Sequence, residues 1–228
     1  MNALVLADGE APTRAELDRA WPGWDDDLGL VIAADGGARH AANLGVAIDA
    51  WVGDGDSLDA ADLANLETAG VPMDRSSPHK DESDTELAVM AALARGAAGV
   101  TIIGGLGGAR IDHALANIGL LALPELAGHR AVIVDARSRI TLIRAPGPSG
   151  AAVSHDLSGR VGDIVSLLPV GSGVMGVTTE GLVYQLVDEP LPAGPARGLS
   201  NVRVSADASV TVKAGMLLVV EAFATLAP

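Results

Sequence analysis

The 228-residue sequence contains no cysteine, which excludes disulfide frameworks and thiolate metal sites. Aromatic residues are nearly as scarce, with three Trp, one Tyr and one Phe, leaving little with which to stack nucleobases. Basic residues are outnumbered: 15 Lys and Arg against 29 Asp and Glu give a formal net charge of −14, a field that repels nucleic-acid phosphates. No apolar run approaches the roughly 18 to 20 residues needed to cross a bilayer. The segment Met1–Asp8 has neither a basic stretch nor a long apolar core, so it reads as a first strand rather than a secretion signal. The expectation is a cytoplasmic protein with no nucleic-acid and no membrane partner.

What is present is acidity concentrated in the first half. Residues 1–120 carry 20 of the 29 acids but only 7 of the 15 bases. Such a field suits a cationic ligand or bound metal ions. Outside a motif, an individual acid serves solubility as readily as function.

Short apolar runs alternate with helical patterns through about residue 135. Ala3–Ala7, Leu30–Ala34, Ala50–Gly53, Val100–Gly104 and Ala131–Val134 read as buried strands. Helices are expected after Ser57-Leu-Asp-Ala60 to about Ala69, from the capping box Ser83–Glu86 to Arg95, and from about Asp112 to Leu123. Strands separated by single helices imply right-handed crossovers and an open, mostly parallel α/β sheet with flanking helices. Ligands of such sheets sit beyond the carboxyl ends of the strands.

The pattern changes at the turn-rich Ala145–Gly150, the best linker candidate. Beyond it, Val161–Leu168, Val174–Thr178, Leu182–Leu186, Val202–Ser205, Val210–Lys213 and Met216–Val220 read as strands of a small all-β sandwich or barrel. The expected division is an α/β domain over residues 1–145 and a β-rich domain over 151–228.

Four segments carry chemistry. Gly53-Asp-Gly-Asp-Ser57 ends a strand with two carboxylates, Asp54 and Asp56, the hard oxygen ligands Mg²⁺ prefers, although such a sequence also serves turns and helix caps. Lys80-Asp-Glu-Ser-Asp-Thr-Glu86 opens a helix, where acids also complement the dipole; Asp84 there could reach the same ion, and Lys80 could meet phosphate. Gly104-Gly-Leu-Gly-Gly-Ala-Arg-Ile-Asp-His113, continuing to Asn117, joins a strand to a helix. Its glycines, among them Gly107 and Gly108, can present N–H groups to phosphate, and Arg110 adds a guanidinium. Asp35-Gly36-Gly37, after the second strand, is a weaker case of the same architecture. No Walker sequence and no nucleophile elbow occurs.

In this order the four segments resemble the thiamine pyrophosphokinase family, whose sequences commonly show Asp-Gly-Gly, Gly-Asp-Phe-Asp-Ser, Lys-Asp-X-Thr-Asp and Gly-Gly-Arg-X-Asp-His followed by Asn. The resemblance continues through Ser166-Leu-Leu-Pro169, Val177-Thr-Thr-Glu-Gly-Leu-Val-Tyr184 and Gly198-Leu-Ser-Asn201. Three departures stand out: Gly55 for Phe, Ser83 for Thr, and Ala109 as an extra residue before Arg110.

The resemblance implies an enzyme moving diphosphate from ATP to thiamine. It implies Mg²⁺ on Asp54, Asp56 and Asp84, and ATP on Asp35, Gly36, Gly37, Lys80, Gly107, Gly108 and Arg110. Ser200 and Asn201 would lie on the thiamine side, within a homodimer whose thiamine sites each draw on two subunits. Asp112 is the candidate for orienting or deprotonating the acceptor hydroxyl, unless it supports a metal or the nucleotide; His113 reads as a helix-entry residue. The ATP-side motifs would serve another hydroxymethyl heterocycle, such as a pterin, equally well. An aspartyl-phosphate hydrolase would place its Asp-X-Asp after the first strand, not about the third. A non-catalytic nucleotide or thiamine sensor is the remaining alternative.

Overall fold

The computed structural model describes residues 1–77, 79–147 and 149–224. It divides into two compact units, Met1–Ala136 and Arg137–Pro228. The turn-rich stretch 145–150, expected to link two domains, therefore falls inside the second unit.

The first unit is built on six strands: β1 (Asn2–Leu6), β2 (Leu28–Ala34), β3 (Ala50–Gly53), β4 (Met73–Arg75), β5 (Gly99–Ile103) and β6 (Arg130–Val134). They lie in the order β4-β3-β2-β1-β5-β6, and every pairing between them is parallel. The central strands are apolar on both faces: Ala3, Leu4, Val5 and Leu6 of β1 and Ile32 and Ala33 of β2 are each at most 1% exposed. Burial of each larger side chain contributes about 1.5–3 kcal/mol. Runs of this kind cannot face water on one side, so helices must cover both.

Those helices are α1 (Arg14–Ala20), α2 (His40–Leu44), α3 (Ala60–Thr68), α4 (Asp84–Ala94) and α5 (Ile111–Leu120). Ser83 caps α4, accepting from the Glu86 N–H at 3.1 Å. Its inner face is Ala88, Val89 and Ala92, small enough for the helix to lie against β1, β2 and β3. The helix expected after Ser57-Leu-Asp-Ala60 is α3, capped by Asp59, whose side chain accepts from the Asp62 N–H at 2.8 Å. Sequence patterning also passed over α1, although Thr13 and Glu16 form a complete capping box there.

Beyond β1 the sheet grows leftward through β2, β3 and β4, and the chain then crosses back to place β5 on the other side of β1. Loops leaving neighbouring strands diverge at such a reversal and open a crevice at the carboxyl edge.

The second unit is antiparallel: β7 (Ser138–Ala145), β8 (Val153–Asp156), β9 (Ile164–Glu180), β10 (Glu189–Leu191), β11 (Asn201–Val202), β12 (Ser209–Val212) and β13 (Ala214–Ala222). Its order is β7-β13-β9-β12-β8, with β10 and β11 also on β9. Two of the predicted strands, Val161–Leu168 and Val174–Thr178, are halves of β9. Glycines at 171, 173 and 176 with φ of 75°, 118° and 65° let it turn from β13 to β12 without breaking. Val165, Leu167, Val177, Val210, Leu217 and Val219 fill its interior. The region predicted as a strand at Leu182–Leu186 makes only a single bridge, Leu182 to Arg203.

Candidate active site

A cavity of about 500 Å³ opens at the carboxyl edge of the first unit's sheet, lined by residues that follow β1, β2, β3 and β5 and by the starts of α4 and α5. That volume lies within the range of small-molecule sites.

Its acidic wall is assembled from three separate segments. One carboxylate oxygen each from Asp35, Asp54 and Asp84 lies within 4.8 Å of the others. Asp35 ends β2 in the left-handed region, φ 43°, a conformation Asp tolerates better than most residues. Trp51, fully buried beneath it, donates its indole N–H to the Asp35 carbonyl at 3.1 Å. Asp54 follows β3 directly, and Asp84 is the first residue of α4, where the helix dipole favours a negative charge. Asp56 lines the same cavity but stands outside this close group, its Oδ1 accepting from the Ser57 hydroxyl at 3.0 Å.

Asp35 is only 3% exposed. Its Oδ2 accepts the Ser57 N–H at 3.1 Å, whereas its Oδ1 is buried with no hydrogen-bond partner. Burial pushes its carboxyl above the usual range, hydrogen bonds from Ser57 partly offset this, and the nearby charge of Asp84 adds to the rise. A buried oxygen without a donor beside two further carboxylates is costly unless a cation completes the group. The donor set is all hard oxygen, which fits Mg²⁺. Lys80 supplies part of the missing charge, its Nζ donating to the carboxylate of Asp84.

The glycine-rich turn forms the opposite wall. Its glycines serve close approach of backbones as much as openness. A Cβ on Gly9 would stand 2.4 Å from the carbonyl oxygens of both Gly104 and Gly107, and the Gly9 N–H donates to the Gly104 carbonyl at 3.0 Å. Gly107 and Gly108 line the cavity. Gly36 and Gly37 do not: a Cβ on Gly37 would meet the Leu6 carbonyl oxygen at 2.0 Å, so they let the turn after β2 cross β1. Asn117 is buried and donates to the Gly105 carbonyl at 3.0 Å, anchoring the turn on α5.

Arg110 and His113 reach the cavity, but Asp112 does not line it. Asp112 instead grips Arg110 through two oxygens, at 2.9 Å to Nε and 2.6 Å to Nη2. That guanidinium holds the Asp112 carboxyl well below the ordinary carboxylate range. Asp8, which sequence reading did not single out, also lines the cavity; the available signal was its place two residues past β1, comparable to Asp35 after β2 and Asp54 after β3.

Ser200 and Asn201 belong to the second unit. Ser200 is exposed with φ 58°. Asn201 is 7% exposed, and its amide accepts from Tyr184 N–H at 2.9 Å and donates to the Tyr184 carbonyl. It thereby holds the 182–187 segment in place.

Comparison with known proteins gives the family. Residues 24–133 match the family model "Thiamin pyrophosphokinase, catalytic domain", and residues 153–217 match "Thiamin pyrophosphokinase, vitamin B1 binding domain". The thiamine pyrophosphokinase of Bacillus subtilis (strain 168) is 24% identical over 198 residues, covering 87% of this chain and 89% of that protein. Among solved structures, the B. subtilis enzyme superposes with a TM-score of 0.82 at 21% identity, covering 99% of this chain and 100% of that one. A family protein from Enterococcus faecalis gives 0.77 at 25% identity, covering 97% and 99%. The enzyme from Candida albicans gives 0.74 at 16%, covering 97% and 90%. With its acidic crevice in the segment matched by one model and its antiparallel unit in the segment matched by the other, this chain belongs to the thiamin pyrophosphokinase family.

Proposed function

We propose that the chain transfers the terminal diphosphate of ATP to the hydroxyl of thiamine, yielding thiamine diphosphate and AMP, with Mg²⁺ as cofactor. The single observation that carries this reading, beyond family membership, is the convergence of the carboxylates of Asp35, Asp54 and Asp84, the first of which is buried with one oxygen lacking a partner. Asp35, Asp54 and Asp84, with Asp56 on the same wall, would hold the ion. When bound, it neutralises charge on the phosphate chain.

The thiamine hydroxyl oxygen attacks the β-phosphorus in line, its proton is released to solvent, and the bond from that phosphorus to the α,β-bridging oxygen breaks to release AMP. Such transfers demand positioning and charge stabilisation more than covalent help from the protein. Lys80 and Arg110 face the cavity as the two cations able to meet phosphate oxygens. The turn of Gly107 and Gly108 lets the phosphate chain approach the backbone. Asp112 acts through Arg110: a carboxylate held ionised and gripped by a guanidinium is a poor proton acceptor but fixes the angle of that guanidinium. The second unit receives thiamine, with Ser200 exposed there and Asn201 shaping the segment around Tyr184.

The acidic first half favours a cationic acceptor over a neutral pterin. Among the described residues no helix is long and apolar enough to cross a membrane; with a chain free of cysteine, we place the protein in the cytoplasm, working as a homodimer. The test is incubation with Mg·ATP and either thiamine or a hydroxymethylpterin, with products identified by mass. Thiamine diphosphate and AMP in equal amounts are expected; a pterin diphosphate, free phosphate without acceptor, or no product would each overturn the reading.

A further inference from the structure

Arg39 closes the short 3₁₀ turn Asp35–Arg39 that follows β2, and it reaches in two directions. Its Nη1 donates to the Ser57 carbonyl at 2.6 Å, and its Nη2 donates to Asp8 Oδ1 at 2.7 Å. The turns after β1, β2 and β3 are thus joined through one guanidinium. Gly36 makes room for it, since a Cβ there would lie 2.1 Å from Asp8 Oδ1 and 2.8 Å from Arg39 Nη2. The next residue repeats the attachment, with His40 Nε2 2.8 Å from the Gly9 carbonyl.

The Asp8–Arg39 pair is roughly half exposed, with side-chain accessibilities of 42% and 45%, so as a salt bridge it is worth little. Its consequence is geometric. The residue whose carbonyl Arg39 holds is the one whose N–H holds Asp35 Oδ2. With Ser57 fixed from both sides, the carboxylate of Asp35 is held in the group formed with Asp54 and Asp84, its Oδ1 buried without a partner.

We propose that Arg39 is a positioning residue for the acidic cluster, setting the spacing of its carboxylates through Ser57 while pinning the Asp8 turn on the same cavity. The inference rests on reading that cluster as the divalent-cation site. A guanidinium presents its donors in a fixed planar fork, so it holds the two acceptors in one geometry, which the flexible point charge of an ammonium does not.

The test titrates Mn²⁺ alone into the full chain, follows the free ion by electron paramagnetic resonance, and checks folding by circular dichroism. The Arg39→Ala change weakens Mn²⁺ binding about tenfold or more, the scale of losing a group that orients a metal ligand, and Arg39→Lys restores only part of it. Arg39→Ala binding Mn²⁺ as tightly as the unaltered chain overturns the proposal. Should that variant fail to fold, Arg39→Lys decides alone: affinity equal to the unaltered chain refutes the role of the planar fork. Asp54→Asn is the control for the underlying reading. If it leaves Mn²⁺ binding unchanged, the cation site itself is misassigned and the positioning role falls with it.

Discussion

The Ser57 N–H donates to one oxygen of Asp35 at 3.1 Å, while the other oxygen of the same carboxylate is buried with no donor. A β3-derived turn therefore orients a residue at the end of β2 whose carboxylate joins those of Asp54 and Asp84. That asymmetry leaves one oxygen engaged by the backbone and the other buried without a donor, in a carboxylate that stands beside two more.

Replacing Asp35 with Asn tests this division. The Asn carbonyl can still accept from Ser57, and the desolvated charge beside Asp84 disappears. Turnover is expected to fall about a hundredfold or more, as for loss of one electrostatic stabiliser. The thermal midpoint measured in EDTA does not fall. A midpoint drop comparable to a core cavity would show that the carboxylate is structural instead.

Lys80 donates to the Asp84 carboxylate and, at 2.5 Å, to the Ser76 hydroxyl, close to where phosphate would enter. Lys80→Ala is expected to raise KM for ATP about tenfold, equivalent to about 1.4 kcal/mol and typical of one charged hydrogen bond. KM for thiamine stays the same. Initial rates over both substrates check it, and equal shifts in the two KM values would place Lys80 elsewhere.

Gly9 approaches the carbonyls of Gly104 and Gly107 too closely for any side chain. Gly9→Ala must displace backbone rather than a flexible side-chain tip, so a loss of about 1–3 kcal/mol is expected from urea unfolding. The displaced turn also lines the cavity, which raises KM for ATP. Unchanged stability would mean that the two turns separate freely.

Glu221 in β13 is 1% exposed, accepts the Gly159 N–H at 2.7 Å, and sits opposite Arg139 in the β13–β7 register. Burial pushes its carboxyl above the ordinary value of 4.5, with the Gly159 hydrogen bond and the Arg139 charge opposing. Because the folded carboxyl binds its proton more tightly than the unfolded one, its contribution to stability is present below pH 4.5 and is lost as pH rises through the folded value. Thermal midpoints across that window are expected to fall less steeply for Glu221→Gln than for the unaltered chain. Parallel curves would contradict the assignment.

Much of the fold could be read along the chain because its signals are local. The apolar runs of β1, β2, β3, β5 and β6 and the cap at Ser83 each depend on a few consecutive residues, and each lies within about two residues of its expected place. The strand β4, only Met73–Arg75, is too short and polar to announce itself; pairing with β3 makes it a strand. The division of the two units after Ala136 carries no Pro or Gly signal of its own, whereas the Pro and Gly near residue 145 mark a turn whose composition a linker would share.

Site residues divide in the same way. Asp54, Asp84, Lys80 and Arg110 stand in motifs whose spacing could be read directly, and all four reach the cavity. Asp35 joins the carboxylate group, and Asp112 turns from it toward Arg110, for reasons no spacing contains: the left-handed turn above Trp51 and the grip of a neighbouring guanidinium. The linear order of residues determined which strands exist, where acids and glycines concentrate, and which family the motifs resemble. Only the folded chain decided which oxygen of which aspartate is buried without a donor, because that depends on turns from β1, β2 and β3 meeting where the sheet reverses its order.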